Sequence, residues 1–111
     1  MPNKLFIEDK HFNIVLGILK KYLVGQNKDI KVYIFGSRST GKNIKKGSDL
    51  DLALENGSGH LIDSKLLNQL DFEFEDSDLP YKVDLLDLNS AGQEFRVAID
   101  SELTEILWSI L

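Results

Sequence analysis

From residue 9 to residue 24, apolar side chains recur every three or four positions: Phe12, Val15, Leu16, Leu19 and Leu23, with Lys20 and Lys21 elsewhere on the wheel. That period gives an α-helix one dry face and one wet face, and Gly25 supplies a stop. The pattern then changes. "KVYIF" (31–35) is β-branched and aromatic and runs into Gly36, which predicts a buried strand. "DLDLALE" (49–55) begins as a strict polar–apolar alternation, which predicts a strand with one apolar face. Residues 37–48, between these strands, are rich in Gly, Ser, Lys and Asn and read as a loop with room for one helical turn after Ser37. "NGSG" (56–59) is a turn. Residues 61–74 read as a second helix, with Leu61, Leu66, Leu67 and Leu70 as core candidates, and leave through the acidic stretch that ends at Pro80. "YKVDLLDL" (81–88) is a third strand. Residues 90–110 read as one or two terminal helices, with Phe95, Ile99, Leu103, Ile106, Leu107 and Ile110 as their apolar positions.

The predicted order is α-β-β-α-β-α. The interval between the first two strands is too short for a crossover helix, so these two are expected to pair antiparallel. This argues against a purely parallel, doubly wound sheet and for an α+β fold, a small mixed sheet flanked by helices. A chain of 111 residues fits a single domain, 1–111.

Composition narrows the function. Hydrophobic residues make up 42% and charged residues 28%, an ordinary balance for a soluble globular protein. Apolar runs are only a few residues long, so no membrane span is expected. The first twenty residues include Glu8, Asp9 and Lys10 and show no signal-peptide pattern. The chain has no cysteine, which excludes disulfides, thiolate zinc sites and a cysteine nucleophile, and fits a reducing cytoplasm. A formal net charge of −5 disfavours a generic grip on nucleic acid. Positive charge is nonetheless concentrated at Arg38, Lys42, Lys45 and Lys46. That cluster is either a solvated loop or a place for polyphosphate. His11 and His60 have no metal-ligand spacing.

Chemistry concentrates in "FGSRSTGKNIKKGSDLDL" (35–52). Residues two apart on a strand share a face, so Asp49 and Asp51 point one way while Leu50, Leu52 and Leu54 point to the core. Two carboxylates about 6–7 Å apart repel by roughly 2–3 kcal/mol at an effective dielectric near 20. A divalent cation turns that repulsion into attraction, and Mg²⁺ accepts carboxylates together with phosphate oxygens. The competing structural reading is an amphipathic edge strand with aspartates on its wet face. Asp84, in "KVDLL" (82–86), is a third carboxylate on an apolar strand, and aspartate is a poor strand former. Three carboxylates suit a two-metal site, whereas an ion pair with a lysine or arginine is the structural alternative for Asp84. Asp87 falls on the opposite face and ranks below it. Gly36 permits close backbone approach, and Ser37 stands where a helical turn begins and can attract phosphate. Gly36 to Asn43 also nearly spells a P-loop. That motif needs Ser or Thr at the position of Asn43, to hold Mg²⁺, and a long helix after it. Here a strand begins within a few residues, so the P-loop reading fails.

Gly36-Ser37, then Asp49-Leu50-Asp51 and later Asp84, resemble the motif set of the minimal nucleotidyltransferases (MNT domains) of the DNA polymerase β-like superfamily. The likeness is close over 34–54 and good over 81–88, and the order of elements agrees. Eleven residues separate Ser37 from Asp49, one more than the family's usual ten. The extra residue falls in the loop 42–47 and leaves the roles of Lys42 and Lys45 open. The resemblance implies that Gly36 and Ser37, with Arg38 beside them, bind the nucleotide. It implies that Asp49 and Asp51 bind Mg²⁺ and that Asp84 is the third carboxylate, near the incoming hydroxyl. The implied reaction is attack of a hydroxyl on the α-phosphorus of an NTP, ATP being the expected one, with loss of pyrophosphate. In the family that the chain resembles, small MNT proteins are often encoded beside a helical HEPN-domain protein of the HepT type. The pair resembles a toxin–antitoxin system in which AMP is attached to a tyrosine of the HEPN toxin, so a cytoplasmic hetero-oligomer is expected. The terminal apolar stretch 105–111 either docks such a partner or caps the chain's own core. Two other expectations stand beside this one: an antitoxin that masks its partner by contact alone, and a small-molecule nucleotidyltransferase.

Overall fold

The structure, a computed structural model, describes residues 5–25 and 29–108. The first helix, α1 (Asp9–Leu23), buries Val15, Leu16, Ile18, Leu19 and Leu23 and places Lys20 and Lys21 in its last turn, where cations oppose the helix dipole favourably. Strand β1 (Ile30–Phe35) buries Ile30, Val32 and Ile34 on one face. A four-residue helix, α2 (Ser37–Thr40), follows at once and ends on Gly41, whose φ of 77° is left-handed. Strand β2 (Leu50–Asn56) leads to α3 (Ser64–Asp76), whose N-cap Asp63 accepts from the Lys65 amide at 3.0 Å. Strand β3 (Val83–Asp87) and helix α4 (Gln93–Ile99) come next, then a 3₁₀ turn over Asp100–Glu102 and strand β4 (Thr104–Ile106).

The four strands lie in the order β3-β2-β1-β4. β1 is antiparallel to both β2 and β4, whereas β2 and β3 are parallel, so the sheet is mixed. The fold is therefore α+β, as the sequence predicts. The main core joins α1 and α3 to one sheet face through Val15, Leu19, Leu23, Val32, Ile34, Leu52, Leu54, Leu70 and Phe74. Full burial of each such side chain stabilises by about 1.5–3 kcal/mol. The opposite face is covered at one end only, where Ala53, Leu88 and Ile99 pack with Tyr33, Phe35, Leu86 and Leu103. The other end of that face carries the aspartates.

Four expectations are corrected. The terminal segment is not helical throughout: β4 fills the free edge of β1, with Val32 opposite Ile106 and Ile34 opposite Thr104. Leu61 is 63% exposed, and its neighbour Ile62 is buried in its place. Phe95 is 45% exposed, although its spacing places it on the apolar face of a helix. β2 is an interior strand, so the aspartates are not explained as the wet side of an edge. Trp108 caps the chain's own core and donates from Nε1 to the Ile30 carbonyl at 3.3 Å, while Leu107 stays exposed. Ile110 and Leu111 lie outside the described residues.

Candidate active site

At the end of β1 the backbone turns through Gly36, whose φ of 75° disfavours any residue with a side chain. Space demands glycine as well, because a Cβ there would stand 2.5 Å from Asp51 Oδ2. The Asp51 carboxylate thus lies directly against the backbone that opens α2. The first amides of a helix have no acceptor within it, which holds for those of Ser37 and Arg38 in α2. The Gly36 carbonyl accepts from the amides of Ser39 and Thr40, both at 3.0 Å, which fixes the turn.

Register brings the carboxylates together. Asp51 pairs with Phe35 on one side and with Asp84 on the other, so Asp51 and Asp84 stand side by side on one face of adjacent parallel strands. Asp49, just before β2, is exposed beside them. Asp84 makes an ion pair with Lys82 at 3.3 Å; its side chain is 45% exposed, so the pair is a surface one rather than a buried one. Burial first, and then the charges of Asp84, Asp49 and Glu102, push the Asp51 carboxyl up to about 6. Asp87 takes no part. It sits opposite Leu54, and its carboxylate accepts from the amides of Ile62 and Asn89, each at 2.9 Å.

Glu102 is a fourth carboxylate at this place, and no motif or spacing in the chain points to it. Its Oε1 accepts from the Gly36 amide at 2.9 Å across 66 residues of chain. Only the break of apolar spacing at Asp100-Ser101-Glu102 could have pointed to a turn there. Next to it opens a hollow of about 410 Å³ lined by Gly36, Ser37, Thr40, Lys42, Asn43, Ser101 and Glu102.

Arg38, expected beside the nucleotide, is held by the backbone around it. It is 6% exposed, and its three nitrogens donate to the carbonyls of Ser48, Phe6 and Lys46 at 2.9–3.1 Å. Its guanidinium stacks on Tyr81, 3.8 Å from the ring centre. These bonds tie it to the loop before β2, and it also lines a hollow with Lys45 and Lys46. The basic cluster is also divided. Lys42 lines the hollow beside Gly36, whereas Lys45 and Lys46 line another, of about 580 Å³, with Glu8, His11 and Tyr81.

A family model described as polymerase beta, nucleotidyltransferase matches residues 18–108, a span that contains every one of these carboxylates and the glycine turn. This chain belongs to the polymerase β nucleotidyltransferase family. It is 43% identical over 84 residues to the "Probable protein adenylyltransferase MntA" of Haemophilus influenzae, covering 76% of this chain and 71% of that protein. Two solved structures share the fold. One, a toxin–antitoxin with AMP-PNP, superposes with a TM-score of 0.63 at 23% identity over 84% of this chain and 69% of its own. The other, a mutant of the toxin–antitoxin MntA-HpeT, gives 0.62 at 21% identity, again over 84% of this chain and 69% of its own. The nucleotidyltransferase reading of the loop thus prevails over the P-loop reading, and the four-residue α2 agrees with it.

Proposed function

We propose that this protein is an Mg²⁺-dependent adenylyltransferase that moves AMP from ATP to a tyrosine hydroxyl of a HEPN-type toxin and thereby acts as its antitoxin. One observation carries the chemistry: Asp51 and Asp84 are register partners directly beside the Gly36 turn. Membership of the nucleotidyltransferase family and 43% identity to an MntA adenylyltransferase support the reaction and the nucleotide. Likeness to a toxin–antitoxin with AMP-PNP supports the toxin context.

The donor set fits the metal. Asp51 is held at about 6 by burial and by neighbouring anions, so the cluster is short of positive charge. Among the described residues no three acidic or histidine side chains are already gathered as a cage. Mg²⁺ does not need one, because it keeps waters and takes one or two carboxylates together with substrate phosphates. Asp49, Asp51 and Asp84 would hold two such ions between them, which would neutralise charge on the phosphates and on the leaving pyrophosphate. The chain's own residues then do the positioning. The amides at Gly36 and Ser37, and the Ser37 hydroxyl, hold the phosphates. Asp84 takes the proton of the attacking hydroxyl as its oxygen bonds to the α-phosphorus and the bond to pyrophosphate breaks. Catalysis is mainly placement and charge neutralisation. We further propose that 1–111 acts as one domain in a cytoplasmic hetero-oligomer with the toxin, Arg38 serving as the residue that orders the loop before β2.

A masking antitoxin remains the second reading, favoured by the exposed Phe95, Val97 and Leu107. One experiment separates the two. The protein is co-purified with its toxin partner and incubated with Mg²⁺ and each α-labelled NTP, and both chains are weighed intact. A toxin heavier by AMP units, with the gain lost in Asp49→Ala/Asp51→Ala, is the expected result. An unmodified toxin in a stable complex that Asp49→Ala/Asp51→Ala still neutralises would establish masking instead.

A further inference from the structure

Glu102 already holds a backbone amide that the proposed function gives to phosphate. Its Oε1 accepts the Gly36 amide proton at 2.9 Å, and it forms one wall of the hollow lined by Gly36, Ser37 and Lys42. Its backbone is fixed. Ser39 Oγ donates to the Glu102 carbonyl and lies 3.0 Å from Thr104 Oγ1, which ties this segment to α2. The side chain alone has freedom to leave, through its rotatable bonds. An amide carries one proton and aligns it with one acceptor. A carboxylate and a phosphate oxygen therefore compete for the Gly36 amide, and their like charges repel.

We propose that Glu102 is a carboxylate latch: in the nucleotide-free protein it occupies the phosphate seat at the Gly36 amide, and the incoming nucleotide must displace it. The latch rests on the assignment of Gly36 to phosphate. It weakens nucleotide binding by the cost of breaking a charge-assisted hydrogen bond and of bringing an anion to an anionic place. It also keeps the amide satisfied when no nucleotide is present. A Glu102 that instead held the metal or the nucleotide would have the opposite effect on affinity, so the sign of a substitution decides.

The test is calorimetric titration of AMP-PNP with Mg²⁺ into the 111-residue chain and into Glu102→Ala and Glu102→Gln. Expected is a Kd lowered about tenfold in Glu102→Ala, with a smaller drop in Glu102→Gln, which keeps a neutral acceptor. In turnover with the toxin, KM for ATP falls while kcat does not rise, a split that a loss of packing would not give. A melting curve for each variant confirms that it is folded, and Glu102→Gln decides if Glu102→Ala is not. An unchanged or weaker affinity in a folded variant overturns the latch. Binding by Glu102→Ala where the native chain shows none would support it most strongly. Failure of all three proteins to bind nucleotide would overturn the phosphate assignment itself, and the latch with it.

Discussion

Asp51 is the residue on which the site turns, and its titration is a direct test of the crowding around it. Unfolded, its carboxyl titrates near its ordinary value of 3.8; folded, it is pushed up to about 6 by burial and by Asp84, Asp49 and Glu102. The folded state binds that proton more tightly. Its contribution therefore favours folding fully below pH 3.8 and is lost as the pH rises through about 6. Asn cannot ionise, so Asp51→Asn is expected to be more stable than the native protein above that range in EDTA. The gain should be on the order of 1 kcal/mol, since a partly exposed carboxylate is partly relieved by solvent. The gap should close toward pH 4. Urea unfolding at several pH values measures it, and a destabilised Asp51→Asn at pH 8 would show that the carboxylates do not crowd one another. Asp49, Asp51 and Asp84 are legible in the sequence because alternation along a strand fixes which side chains share a face. Glu102 is not, since it reaches Gly36 from 66 residues away and no local pattern encodes that contact. The burial of Arg38 is hidden for the same reason: its partners at Phe6, Lys46 and Ser48 are chosen by tertiary structure.

At the scale of elements, the long segments can be read from the sequence and the short ones cannot. α1, β1, β2, α3 and β3 each carry enough periodic positions to announce themselves. β4 has three residues, and Ile99, Leu103 and Ile106 fit a helical spacing as readily as a strand. What decides is the open edge of β1, whose backbone groups β4 pairs from Val32 to Ile34. The loop before β2 is a further case, because its order is set by one side chain. Lys45 and Ser48 close a small turn, with the Lys45 amide donating to Ser48 Oγ at 2.8 Å and the Ser48 amide donating to the Lys45 carbonyl at 3.0 Å. Arg38 then ties that turn to the chain segment at Phe6, whose own amide donates back to the Arg38 carbonyl at 2.9 Å. Arg38→Ala removes three charged hydrogen bonds and the stacking partner of Tyr81. It is expected to destabilise by on the order of 3 kcal/mol in urea unfolding. Amide exchange should quicken over 42–49 and at Phe6. A loss of nucleotide affinity with stability and exchange unchanged would instead return Arg38 to the phosphate.

For the whole molecule, β2 divides the labour between its two faces. Leu50, Leu52 and Leu54 are fully buried on the side covered by α1 and α3, and Asp51 stands on the other. On the proposed function, stability and chemistry are carried by alternate residues of one strand, and substitution should separate them. Leu52→Ala opens a cavity in the core, at a cost of about 2–5 kcal/mol. Asp49→Ala/Asp51→Ala removes no core contact and relieves mutual repulsion, so it should unfold at the same or a higher urea concentration than the native protein in EDTA. The native protein alone should then gain stability from added Mg²⁺, through preferential binding to the folded state. Catalysis should show the reverse order, with Leu52→Ala retaining AMP transfer in proportion to its folded fraction and the aspartate variant retaining none. If the aspartate variant unfolds as readily as Leu52→Ala, the carboxylates are structural. If it is stable and still binds the toxin, binding and transfer are separable properties of different residues on one sheet face, because Phe95 packs edge-on against Phe35, the register partner of Asp51. The exposed Phe95 and Val97 on α4 are then the first positions at which to look for that binding.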